Sequence, residues 1–185
     1  MHIPSLCPAV VRTVFPGLLM AAAFGLSGCG TVSDFVASKV PDYHTGKVAI
    51  VIELHSQEAF LYKGKARIAS SRISTGREGH NTPVGQFSVL QKDIDHHSSV
   101  YGYYADASGH PVKENIDIRK GPKPPGTHFV GASMPFFLEF SPGYGLHQGY
   151  LPGFPASHGC VRMPYWKARQ FYEAARIGTP VTVKQ

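Results

Sequence analysis

Short β-branched or aromatic runs, each closed within a few residues by glycine or proline, set the strongest limit on what this chain can fold into. Twenty glycines and 15 prolines are spread through 185 residues, so few stretches can hold a long apolar helix. Strand patterns are read at Val48 to Leu54, Ala59 to Tyr62, Ala66 to Ser74 and Gln86 to Gln91. Further strands are expected at Phe136 to Phe140, Gly145 to His147 and Pro180 to Val183. His55-Ser56-Gln57 and Lys63-Gly64-Lys65 supply turns between the first three, and Thr82-Pro83-Val84-Gly85 introduces the fourth. The body of the chain carries one helix pattern, Pro164 to about Arg176. Pro164 suits the first helical position, Trp166, Phe171, Ala174 and Ala175 share a face, and Gly178 stops it. The expectation is one mostly β domain with a single C-terminal helix.

Lys92 to Gly131 is read as a long inserted loop rich in Gly, Pro, Asp and Tyr. Tyr101, Tyr103 and Tyr104 within it suit either a ligand-stacking role or a small satellite core, and the sequence leaves both open. His96-His97 is expected to be solvated.

The first residues read as an export signal. Arg12 is the only charged side chain before Asp34, Val14 to Ala23 is apolar, and Leu26-Ser27-Gly28-Cys29 follows. That tetrapeptide resembles a bacterial lipobox, in which Cys29 becomes the acylated first residue. The expected organisation is a lipoprotein signal over 1–28, a tether over 29–46 and a single folded domain over 47–185. No apolar run reaches the roughly 18–20 residues of a spanning helix, so acyl chains would anchor the protein to a membrane without crossing it. Gly30 stands where an Asp would favour inner-membrane retention in Gram-negative lipoproteins, which points to the periplasmic face of the outer membrane. The formal charge of +6 is scattered and accompanied by no nucleic-acid-binding module, so no nucleic-acid partner is expected.

With Cys7 removed in the signal and Cys29 acylated, Cys160 is the one thiol left. An unpaired thiol in an exported protein is a candidate reactive group. It lies in "GLHQGYLPGFPASHGCVRMP", Gly145 to Pro164, with two histidines nearby. An imidazole can take the thiol proton and return it to a leaving amine, and backbone N–H groups around a glycine can hold an oxyanion. His147, His158 and Cys160 match no zinc spacing, so no metal is expected, and thioester chemistry on a cysteine needs no other cofactor.

Ser157-His158-Gly159-Cys160-Val161-Arg162, preceded by His147, resembles the signature of the L,D-transpeptidase (YkuD-like) catalytic domain. The resemblance extends upstream to "ISTGREGHNTPVGQFSVLQK" and downstream to "GTPVTV". It implies a β-sandwich or barrel with one C-terminal helix. Residue by residue, it implies Cys160 as the acylated nucleophile and His147 as base and later acid. Ser157 and His158 would support the turn, Gly159 and Cys160 would offer backbone N–H groups to an oxyanion, and Arg162 would meet a substrate carboxylate. Nine residues separate His147 from Ser157, fewer than in well-known members, and the inserted stretch has no clear counterpart in compact ones.

The implied reaction is on a peptidoglycan tetrapeptide stem. Cys160 would attack the third-residue carbonyl, expel D-alanine and pass the acyl group to a stem amine or a lipoprotein lysine. Water as acceptor would make the enzyme a carboxypeptidase or crosslink hydrolase. A non-catalytic wall-binding lipoprotein is the third reading. Wall hydrolases of the NlpC/P60 type place Cys before His, the reverse of the order here.

Overall fold

The computed structural model describes residues 46–185. The signal segment, Cys29 and all of the tether but Gly46 lie outside the described residues. Ten strands and one helix follow in the order β1 (Val48–Glu53), β2 (Glu58–Lys63), β3 (Ala66–Arg72), β4 (Gly85–Ser88), β5 (Gln91–Ala105), β6 (Pro111–Asp117), β7 (His128–Ser141), β8 (Tyr144–Gln148), β9 (Val161–Met163), α1 (Tyr165–Ala174) and β10 (Pro180–Lys184).

They form two five-stranded sheets, β3-β2-β1-β10-β4 and β6-β5-β7-β8-β9. In the first, β1 and β2 pair as an antiparallel hairpin, and β10 closes against β1 in parallel. Alternation along these strands buries Ile50, Ile52, Leu61, Val181 and Val183. The second sheet contributes Leu138, Phe140, Leu146, Val161 and Met163 to the same core, and α1 adds Ala168 and Phe171. Burial of this apolar set is the main source of stability, at about 25 cal/mol per Å² removed from water.

The expected mostly β architecture with one C-terminal helix is observed. Two details of the helix differ from expectation. Pro164 is the N-cap (φ −60, ψ 149) rather than the first helical residue, because its ring is compatible with extended backbone. Trp166 is 72% exposed, so the buried stripe runs through Ala168, Phe171 and Ala175 without it. Lys92 Nζ donates to the carbonyls of Tyr172 and Ala175, both at 2.6 Å, and so satisfies the end of α1 from β5.

The larger correction concerns the stretch read as a loop. β5, β6 and the start of β7, His128 to Gly131, occupy most of it; β5 and β7 pair as an antiparallel ribbon in which His97 faces Ser133 and Ala105 faces His128. Its residues are too polar to show the usual apolar alternation, because one face of the ribbon lines a cleft and little of it meets the core. Extended backbone pairing holds most of it, with Tyr104, Ala105 and Ile116 buried at its far end.

Candidate active site

The segment Gly149–Cys160 connects two parallel strands, β8 and β9, whose register sets His147 beside Arg162. Side chains paired across a sheet share a face. One ladder step from the Leu138–Leu146 pair sets Phe137 against His147, and Asp93 faces Phe137. A row Asp93–Phe137–His147–Arg162 therefore crosses four strands. The next row on the same face runs Gln91–Glu139–Gly145, with Cys160 one step before the Leu146–Val161 pair. Cys160, His147, Arg162, Phe137 and Glu139 all line a cleft of about 670 Å³.

Several bonds fix the turn that carries the thiol. Ser157 Oγ donates to the Cys160 carbonyl at 2.5 Å and accepts the Gly159 N–H at 3.0 Å. Gly159 has φ +119, and a Cβ there would lie 2.5 Å from the Tyr144 ring, so only glycine fits. Thr82 Oγ1, from the Thr-Pro-Val-Gly turn, donates to the Gly159 carbonyl at 2.7 Å and accepts the Gly76 N–H at 3.0 Å. The segment after β3 acts as a further strand: Ser74 and Arg162 exchange backbone bonds at 3.0 and 2.9 Å, and Arg77 N–H donates to the Ser157 carbonyl.

The electrostatics keep the two reactive groups neutral. Cys160 is half-buried, and burial pushes its thiol up, while the Gly145 N–H and Arg162 pull it back. His147 is buried, and desolvation lowers its pKa to about 4. Its Nδ1 lies 2.7 Å from the Gln148 carbonyl, which can only accept. The proton therefore sits on Nδ1, and Nε2 carries the basic lone pair. A neutral imidazole and a neutral thiol on one cleft wall are the parts of general-base activation.

Arg162 is half-buried, with burial and Arg77 both disfavouring its charge. Its stem packs on Gly149, where a Cβ would lie 2.9 Å from Arg162 Cγ. Among the described residues no carboxylate lies within ion-pair distance of Arg162, which lines the cleft.

A model of the L,D-transpeptidase catalytic domain (YkuD) matches residues 47–183. The chain belongs to this family. Solved structures similar to it include an L,D-transpeptidase from Mycobacterium smegmatis, at 16% identity over 75% of this chain and 59% of that one, with TM-score 0.56. One from Stackebrandtia nassauensis aligns at 19% identity over 83% of this chain and 64% of that one, TM-score 0.55. One from Xylanimonas cellulosilytica aligns at 20% identity over 82% and 68%, TM-score 0.53. At these identities the likeness is one of fold. No curated protein matches the chain by sequence.

Within this L,D-transpeptidase domain the expected residues are distributed unevenly. Cys160, His147, Ser157, His158, Arg162 and Tyr101 line one cleft. Gly159 shapes the turn, but its N–H is already donated to Ser157 Oγ, so of the two expected oxyanion donors Cys160 N–H is the one left. His158 is exposed, stacks on Tyr101 at 4.1 Å and accepts from Arg77 Nη2 at 2.8 Å. Partial burial and the charge of Arg77 lower its pKa to about 4. Tyr101 Oη accepts from Arg119, whose guanidinium is held by two 2.8 Å bonds to Asp117. The end of β6 thus braces the nucleophile turn through Tyr101.

Tyr104 and Tyr103 are not cleft residues. Tyr104 is 5% exposed and packs edge-on against Phe129, which places it in the satellite core of the ribbon. Phe137, Glu139 and His96 are among the cleft residues that escaped the sequence reading. His96 was expected to be solvated. The pairing of β5 with β7 turns it inward, and the only local hint is its spacing of three from Asp93.

Proposed function

We infer that this chain is a peptidoglycan-modifying cysteine acyltransferase that acts on a tetrapeptide stem. The observation that carries this reading is that Cys160 and a buried, neutral His147, its proton fixed on Nδ1, line one cleft. His147 Nε2 takes the Cys160 proton as sulfur attacks the third-residue carbonyl. Cys160 N–H meets the resulting oxyanion, and Arg162 meets a stem carboxylate. His147 returns the proton to the departing D-alanine amine, leaving a thioester that stores the energy of the broken amide. An amine, from a second stem or a lipoprotein lysine, resolves it into a new amide. The same reading places the enzyme at the periplasmic face of the envelope, held by acyl chains on Cys29, where the stems are.

Intact-protein mass spectrometry with disaccharide-tetrapeptide tests this, with Cys160→Ala and a meropenem-treated sample alongside. The expected result is an adduct on Cys160 in the wild type only, with D-alanine released. An amide-linked dimer identifies an amine acceptor, and a tripeptide identifies water. A folded wild type that forms no adduct and no product refutes the acyltransferase reading in favour of a wall-binding protein.

A further inference from the structure

The second half of such a reaction raises a proton problem that one imidazole does not solve. An acceptor amine with an ordinary pKa near 10 arrives as an ammonium ion. It must lose one proton to become a nucleophile and a second after attack, before sulfur leaves. His147 can hold only one.

We propose that His96, oriented by Asp93, is the general base that deprotonates the acceptor amine; this rests on the acyltransferase reading above. His96 lines the same cleft as Cys160 and His147. Its Nδ1 lies 3.1 Å from Asp93 Oδ2, and the other Asp93 oxygen accepts the Asp95 N–H at 3.1 Å, so the carboxylate is itself held. A carboxylate on Nδ1 fixes the proton there and leaves Nε2 as the base. The ring lies flat on Phe137, at 4.1 Å and 10° between planes, and Phe137 also meets the His147 ring, at 6.3 Å. The two imidazoles therefore flank one phenyl ring, His147 on the thiol side and His96 on the ribbon side.

The backbone has been bent to achieve this. Phe136 adopts φ +60, a left-handed conformation rare for a bulky side chain. It interrupts the alternation of β7, sends its own ring against Tyr165 and Tyr172, and lets both Phe137 and Met134 face the cleft. Met134 is the pairing partner of His96. Strain of this kind persists where surrounding structure holds it, and here it sits at the wall that carries His96.

The protons balance. The acceptor ammonium gives its first proton to His96 Nε2, and the free amine adds to the thioester carbonyl. The second proton passes from nitrogen to His147 as the C–S bond breaks, and His147 returns it to the Cys160 thiolate. His96 releases the first proton to solvent. Thioester and ammonium become amide, thiol and one proton.

The test compares the rates of acylation and of amide formation in full-length wild type, His96→Gln and Asp93→Asn. Glutamine keeps a donor toward Asp93 and cannot serve as a base. The ratio of amide formation to acylation should fall by roughly 10²-fold in His96→Gln, within the usual range for lost acid–base help, and less in Asp93→Asn. Hydroxylamine, which needs no deprotonation at neutral pH, should restore transfer in both variants. An unchanged ratio overturns the proposal, as does equal loss of both rates or failure of hydroxylamine to rescue. Should His96→Gln not fold, the same ratio and rescue in Asp93→Asn decide the matter. A wild type that forms no thioester would instead refute the acyltransferase reading itself.

Discussion

Thr82→Val removes one hydroxyl from the contact between the Thr-Pro-Val-Gly turn and the nucleophile turn while keeping the shape of the side chain. Thr82 is 3% exposed, and its Oγ1 makes two bonds, to the Gly159 carbonyl at 2.7 Å and from the Gly76 N–H at 3.0 Å. Valine leaves both backbone groups without that partner. Gly159 is buried, so its carbonyl bears the full cost of about 1–3 kcal/mol, while Gly76 is half-buried and water recovers part of its share. The expected loss is about 2–4 kcal/mol, a large part of a typical net stability of roughly 5–15 kcal/mol. Urea unfolding measures it as a lower midpoint at unchanged slope. Acylation of Cys160 by meropenem, followed by mass, should slow in parallel, because the freed Gly159 carbonyl lets the thiol drift. Thr82→Ser keeps the hydroxyl and should recover most of both properties. A valine variant within about 0.5 kcal/mol of wild type would refute this account of the turn, since that is the range of an uninvolved surface change. A serine variant as poor as valine would show that the hydroxyl alone does not hold the contact and that the methyl group, which valine keeps, is needed with it.

Gly159→Ala should cost more in acylation rate than in stability, because the Tyr144 ring at 2.5 Å forces the turn itself to move; equal meropenem acylation by variant and wild type would contradict this. The depressed His147 pKa means that the unfolded chain binds its proton first as pH falls. Stability is therefore full above about 6.5 and declines toward 4, by up to about 3 kcal/mol from this one group, which denaturation across pH would detect. For the same reason the acid limb of Cys160 acylation should lie near pH 4 and not near 6.5; a limb at 6.5 would mean that His147 is not the buried base. Lys92→Met keeps the stem but strips the end of α1 of two charge-assisted bonds, an expected loss of about 1–3 kcal/mol by calorimetry or urea.

The proposed division of labour between the two imidazoles suits their surroundings. His147 is buried and can exchange a proton only within the site. His96 has 26% of its side chain exposed, so it can pass a proton to solvent between turnovers.

Much of this protein follows from local sequence alone. Glycine and proline spacing fixed where strands stop, so the hairpin of β1 and β2, the last strand and the single helix are legible residue by residue. The Cys160 turn is legible too, because Ser157, Gly159 and Cys160 are bonded to one another within four residues, although Thr82 and Arg77 reach it from far along the chain to hold it in place. What depends on chain segments far apart in sequence is different. The polar ribbon of β5 to β7 lacks apolar alternation, since one of its faces lines a cleft, and only pairing of β5 with β7, between residues 23 to 48 apart, makes it part of a sheet. That pairing draws Tyr101 to His158, buries Tyr104, and carries His96 onto the face of Phe137. Side-chain identity can announce a nucleophile; which other groups face it is decided by strand register, and register is a tertiary property.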